Sequence, residues 1–262
     1  MQSLASKTAV VSGGATLIGQ AVVRALHEAG ADVVVADIDT DGGEKVSADH
    51  GDHVAFVRTD VTDDASIAAC LRTTRDMFGG VDILVNLACT YEDDGMFATR
   101  PQWTFALDVN LVGTALFATA ARPCMIERGG GAVVNFSSIS AKVAQTGRWL
   151  YPASKAAITQ LTRSMAMDMA PDRIRVNSVS PGWTWSNGMI EATGGDRART
   201  DRVAAPFHLP RRTAEPTEVG AVVAFLCSDA ASFVTGADWA VDGGYSAMGP
   251  EQTVPAKAQL SE

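Results

Sequence analysis

Tyr151 stands four positions before Lys155 in the stretch LYPASKAAITQL, residues 150–161, with Pro152 between them. Proline suits the first turn of a helix, so Tyr151 sits at a helix start and Lys155 shares its face about 6 Å along the axis. A free phenol titrates near pH 10 and is a poor base at neutrality, but a neighbouring ammonium and the positive end of a helix both favour phenolate. Tyr151 is therefore a candidate proton acceptor, although a half-buried tyrosine beside a surface lysine makes the same pattern. Ser138 lies 13 residues earlier, at the end of the apolar run GAVVNFSS, residues 131–138. A hydroxyl there can hold a substrate oxygen against the phenolate, a fixed dipole where charge moves in the transition state.

A second group of residues has the chemistry of nucleotide binding. The turn SGGATLIGQ, residues 12–20, follows a β-branched run, and Gly13, Gly14 and Gly19 let its backbone turn tightly and approach a pyrophosphate near free helix N-terminal amides. Asp37 comes 18 residues after Gly19, where a carboxylate can accept both hydroxyls of an adenosine ribose and repel a 2′-phosphate. Asp37 and Asp39 would equally suit the cap of the next helix. No Arg or Lys stands at 12–20 or 38–40 to hold a 2′-phosphate, so NAD is expected rather than NADP. Asp60 and Asn86 end the third and fourth apolar runs, facing the same edge.

These residues need a scaffold that brings run ends together. Seven short runs, at 7–12, 32–37, 53–60, 81–86, 131–138, 174–181 and 237–244, alternate with stretches of helical length, and nearly all are apolar on both faces. Strands without a polar face belong inside a parallel sheet covered by helices on both sides, which predicts an α/β fold with a doubly wound, mostly parallel sheet. Ligands in such sheets bind beyond the carboxyl ends of the strands. No linker or internal repeat divides the chain, so residues 1–249 are expected to form one domain. The polar segment 250–262 is expected to wrap a surface or fray. Residues 183–214, rich in Trp, Gly and Arg, form a long connection expected to be a lid.

Composition excludes other classes. Hydrophobic residues at 47% and charged residues at 19% give an ordinary globular balance. A net charge of −9 offers no basic surface for a nucleic acid. Cys70, Cys89, Cys124 and Cys227 form no Cys-x-x-Cys pair, and the histidines show no ligand spacing with them, so reduced thiols and no metal are expected. The uninterrupted apolar stretch VGAVVAFLC, residues 219–227, is half a membrane span and the N-terminus carries no signal-peptide core, so a cytoplasmic protein is expected.

From the glycine turn to VDGGY at 241–245, the chain resembles the short-chain dehydrogenase/reductase family, in its branch of roughly 250-residue single domains. The resemblance implies a catalytic set of Ser138, Tyr151 and Lys155, with Asn110 holding water for a proton relay through the lysine. It implies a nicotinamide dinucleotide bound by Ser12, Gly13, Thr16, Leu17, Ile18 and Gly19, with Asp37 at the ribose. Asp60 and Val61 correspond to the adenine position, Asn86 and Ala88 follow at the fourth strand, and Pro181, Gly182, Trp183 and Thr184 of SPGWT lie beside the nicotinamide. Tyr151 and Lys155 contact the cofactor as well. The resemblance also implies a homotetramer pairing helices at about 103–127 and 152–170.

The chain departs from the family pattern at four places: Ser12 replaces a threonine, Leu17 a glycine, and NLAC at 86–89 puts Leu87 and Cys89 where the family has asparagine and glycine. Leu17 falls where the helix should begin, and helical dihedrals accept leucine. Cys89 reads as a small apolar filler, with oxidation of its thiol as the alternative. The expected activity is NAD-dependent oxidation of a secondary alcohol or reduction of its ketone. A 3-oxoacyl thioester reductase of the same fold and a non-catalytic dinucleotide-binding regulator are the alternatives. Trp149, Trp183, Trp185, Met189 and Phe207 are candidates for an apolar pocket, and Arg148, Arg197, Arg199 and Arg202 for an anionic group or for solvated surface.

Overall fold

The computed structural model describes residues 3–250 and Lys257. Seven strands form one sheet: β1 Thr8–Ser12, β2 Asp32–Asp37, β3 Val54–Arg58, β4 Ile83–Asn86, β5 Gly131–Phe136, β6 Ile174–Pro181 and β7 Asp238–Val241. Their order is β3-β2-β1-β4-β5-β6-β7 and every pairing is parallel. The sequence order reverses beside β1, so the β1 and β4 ends open the crevice at which such sheets bind ligands. Nine helices connect the strands among the described residues: α1 Leu17–Glu28, α2 Thr40–His50, α3 Asp64–Phe78, α4 Arg100–Leu107, α5 Gly113–Glu127, α6 Leu150–Met169, α7 Asn187–Thr193, α8 Arg197–Ala204 and α9 Pro216–Cys227.

The strands are apolar on both faces because each face has its own core. Ala9 and Val11 of β1 join Val22, Val23 and Leu26 of α1 and Val219, Val223 and Leu226 of α9 on one side. Val10 points to the other side, among Ile67 and Leu71 of α3, Phe117 and Met125 of α5, and Met165 and Met169 of α6. All seven predicted strands are present, but three end earlier than expected, β7 at Val241 among them. The last β5–β6 pair is Phe136 with Val179, so Ser138 lies two residues beyond the strand. The last β2–β3 pair is Asp37 with Arg58, which puts Asp60 in the turn that follows.

The predicted lid is no bare loop, for it carries α7 and α8 and is closed at its base by a parallel bridge between Thr184 and Ala214. Between α4 and α5 the helix widens into a single π-helical turn, Asp108–Val112. By length and composition Arg100–Glu127 could cross a membrane, but Phe117, Ala118, Ala121 and Met125 on it pack in the core. All but Lys257 of residues 251–262 lie outside the described residues, and with them the expected behaviour of the tail.

Candidate active site

Helix α6 begins at Leu150, so Tyr151 stands in its first turn and Lys155 follows on the same face, both buried. The helix start is anchored by a residue that the sequence reading missed. Asp93 accepts the backbone N–H groups of Trp149 and Tyr151, each at 2.9 Å, and that of Gly95 at 3.0 Å. Burial opposes its charge, but these bonds and one from Leu150 outweigh it and hold the Asp93 carboxyl below the usual range. The only signal for it in the sequence was an acidic residue in a loop, far from the helix it caps.

Lys155 Nζ donates to the Phe136 carbonyl at 2.8 Å and stands 5.4 Å from the centre of the Tyr151 ring. Ser138, extended at φ −167°, accepts from Ser140 N–H at 3.1 Å, and its hydroxyl hydrogen-bonds the Tyr151 phenol. The strand end, the helix start and the lysine thus meet as the spacing predicted. The electrostatics differ from the expectation of a lowered phenol. Burial, followed by the nearby Cys89 thiol, pushes the Tyr151 phenol well above the ordinary tyrosine value, while Ser138, the Arg148 charge and a hydrogen bond from Tyr91 pull it down. Burial also holds the Lys155 ammonium below its usual value. A helix terminus and one amine do not offset near-complete desolvation of a phenolate.

Asn110 lies in the π-helical turn and its side chain is spent on structure rather than lining a cavity. It accepts from Thr90 N–H at 2.8 Å and donates to the Thr90 carbonyl and to Ser154 Oγ, each at 3.1 Å. Ser154 in turn donates to the Tyr151 carbonyl at 2.8 Å, so Asn110 ties the strand-four loop to the helix that carries Tyr151 and Lys155.

Two adjoining cavities run along the strand ends. One, of about 350 Å³, is lined by Gly13, Thr16, Ile18, Asp37, Asp60, Val61 and Ala88. The other, of about 600 Å³, is lined by Ser138, Tyr151, Lys155, Pro181, Gly182, Trp183 and Thr184, and the two share Ile18, Leu87, Cys89, Tyr91 and Ser186. Cys89 therefore forms part of the wall between the cavities rather than filling the core. Four expected cofactor residues line neither cavity. Ser12 is buried and its Oγ accepts from Leu87 and Ala88 N–H at 3.2 and 3.3 Å, fixing the facing loop. Gly19 is needed because a Cβ there would strike the Gly13 carbonyl. Asn86 donates to Asn135 at 3.0 Å inside the sheet. Leu17 does open α1, as expected, but its N–H donates to Asn187 of α7 at 2.9 Å, which ties the lid to the glycine turn.

The groove fits a nicotinamide dinucleotide. Gly13 has φ +72° and a Cβ on it would stand 2.8 Å from Ala88 N, so the turn approaches its neighbour as closely as backbone allows. Asp37 is buried and accepts from Ala15 and Asp39 N–H at 2.9 and 3.0 Å, one bond on each oxygen, leaving further lone pairs for a diol. The charged side chains lining this cavity are Asp37 and Asp60, and no cation lines it. Asp60 is held below the usual carboxyl value, chiefly by hydrogen bonds from Thr62.

Of the apolar candidates, Trp183, Met189 and Phe207 line the larger cavity, Trp149 is exposed, and Trp185 instead meets the Arg197 guanidinium at 5.1 Å. Tyr245 joins the wall 6.2 Å from Phe207, and Tyr91 stacks on Tyr151 with ring centres 5.0 Å apart; neither was foreseen.

Comparison with known proteins agrees with this geometry. A family model described as enoyl-(acyl carrier protein) reductase matches residues 13–246. A cis-4-hydroxycyclohexanecarboxylate dehydrogenase of Sinomonas cyclohexanicum is 39% identical over 252 residues, covering 94% of this chain and 99% of the relative. A 3-alpha-(or 20-beta)-hydroxysteroid dehydrogenase of Mycobacterium bovis is 37% identical, covering 92% and 90%. The solved structure of a 3-ketoacyl-(acyl-carrier-protein) reductase from Brucella melitensis, complexed with NADH, aligns with a TM-score of 0.85 at 27% identity, covering 93% and 100%. With matches of this extent joined to the parallel sheet and the Ser138, Tyr151, Lys155 cluster, the chain belongs to the short-chain dehydrogenase/reductase family of oxidoreductases.

Proposed function

We propose that the chain is an NAD-dependent dehydrogenase that oxidises a secondary alcohol carried on a ring, or reduces the matching ketone. The observation that carries the reading is the meeting of Ser138, Tyr151 and Lys155 in one cavity that adjoins a second whose lining charges are both acidic. Two relatives named for hydroxycyclohexane and hydroxysteroid substrates support a ring-borne alcohol.

When bound, the nicotinamide supplies the acceptor for the hydride leaving the carbinol carbon, and its positive ring favours phenolate nearby. Asp37 would hold the adenosine ribose, the turn from Gly13 to Gly19 the pyrophosphate, and Lys155, with donors to spare beyond Phe136, the second ribose. Ser138 fixes the alcohol oxygen at the phenol. Tyr151, as phenolate, takes the hydroxyl proton as the hydride departs, and Lys155 stabilises the anionic ring until that proton arrives.

The 3-ketoacyl reductase reading shares this chemistry, so cofactor alone does not separate the two. Trp183, Phe207 and Tyr245 line the cavity with aromatic surface at spacings of 5.8 and 6.2 Å, which suits an apolar ring. A homotetramer and a cytoplasmic setting complete the proposal. Phe105, Val112, Leu116 and Ile126 on α4, the π turn and α5, and Met167 on α6, are exposed apolar side chains suited to a subunit interface. The test is a panel of cis- and trans-4-hydroxycyclohexanecarboxylate, cyclohexanol, cyclohexane-1,2-diol and a hydroxysteroid with NAD. NADH formation with at least one is expected, and formation with none would overturn the reading.

A further inference from the structure

Among the described residues, the charged side chains that line the larger cavity are Lys155 and Arg148. Lys155 is buried at its inner end and engaged with Phe136. Arg148 is half-buried, with its guanidinium carbon 4.6 Å from the centre of the Tyr151 ring. Among the described residues no ion pair and no side-chain hydrogen bond occupies that guanidinium. The Asp93 carboxylate, which accepts backbone amides at the start of α6, makes no ion pair with it among the described residues. The other arginines near the lid are placed differently. Arg197 is paired with Asp201 and Glu215, Arg212 with Glu218, and Arg199 and Arg202 are exposed and outside the cavity lining.

Ser140, Gln145, Thr146 and Arg148 line the cavity from the segment before α6, and Trp183, Met189 and Phe207 line it from the lid. A partly desolvated guanidinium without a counter-ion is costly, and its fork of donors matches a carboxylate. One unpaired cation suits a monoanion better than a phosphate dianion.

Resting on the secondary-alcohol reading above, we infer that Arg148 is a substrate-anion subsite and that the substrate is a hydroxy acid whose carboxylate it holds. Because the guanidinium stands so close to the phenol ring, alcohol and carboxylate belong to one small molecule, separated by a few carbon–carbon bonds. The lid aromatics cover the hydrocarbon between them.

The binding test needs no turnover. Calorimetry of the protein–NADH complex with cyclohexanecarboxylate, and with cyclohexanecarboxamide as the neutral match, should show the acid bound roughly tenfold or more tighter. Arg148→Leu should abolish that preference and Arg148→Lys should retain part of it. Equal affinity for acid and amide in the wild type, or an unchanged preference in Arg148→Leu, would overturn the inference even if the alcohol panel gives NADH. Turnover adds a second readout. Arg148→Leu should raise KM for 4-hydroxycyclohexanecarboxylate far more than for cyclohexanol. An equal loss on both, with the pH profile moved upward for both, would mean that Arg148 acts only through Tyr151 and would also refute the subsite.

Discussion

The Asp93 carboxylate accepts the backbone N–H of Tyr151 at 2.9 Å, so an acidic residue 58 positions away sets the start of the helix that presents the phenol. Replacing it with alanine leaves several helix-terminal amides without an acceptor. Asp93→Ala should cost about 1–2 kcal/mol of stability and lower kcat, with Asp93→Asn falling between. Its carboxyl is held low in the folded protein, so its contribution is present above the ordinary carboxylate range and fades as pH falls through the depressed folded value. Thermal melts of wild type and Asp93→Asn at pH 7 and at acid pH check this; a constant difference would contradict it.

Asp37 is paired in register with Arg58 on the adjacent strand, and Arg58 lies outside the cavity lining. Removing the acid removes both the diol acceptor and the repulsion of a 2′-phosphate, and leaves Arg58 as a nearby cation. Asp37→Asn should weaken NAD by roughly tenfold and strengthen NADP, narrowing the preference. Asparagine keeps only one of the two oxygens that accept the amides of Ala15 and Asp39, so a thermal melt of the variant separates the cofactor effect from collapse of the turn. Fluorescence titration with NADH and NADPH reads both constants, and an unchanged ratio would move specificity elsewhere.

Glu218 closes the N-terminal cap of α9 by accepting from Glu215 N–H at 2.7 Å and pairs with Arg212. The Arg212 hydrogen bond is the main cause of a carboxyl lowered to about 2. A depressed carboxylate stabilises the fold above its unfolded value near 4.5 and loses that effect as pH falls toward 2. The pair is largely exposed and screened, so Glu218→Gln should cost only about 1 kcal/mol or less at pH 7. Urea titrations across this range should show the gap closing on acidification; a gap that widens would contradict the assignment.

The sheet was legible because both faces of each strand are apolar, a pattern that few folds accommodate. Tyr151, Lys155 and Ser138 were legible because helix spacing and a strand end fix them locally. What the sequence hid depends on long-range contact. Asp93 reaches its helix across a loop, Asn187 meets Leu17 from 170 positions away, and Tyr91 and Tyr245 enter the cavity wall from segments without helical or strand periodicity. The phenol's raised value was hidden for the same reason, since desolvation belongs to the packed site and not to the Tyr-x-x-x-Lys spacing. Of the four arginines singled out, only packing shows that Arg197 is paired and that Arg148 lines the cavity.

The central claim is that the Tyr151 phenol moves the proton in a hydride transfer to a nicotinamide. Tyr151→Phe keeps the ring against Tyr91 and removes only the hydroxyl. The direct measurement is steady-state alcohol oxidation by this variant beside fluorescence titration of its NADH affinity. Cofactor affinity is expected to stay close to wild type while turnover falls by roughly three orders of magnitude or more. Turnover within tenfold of wild type would contradict it and remove Tyr151 as the acid and base of the reaction.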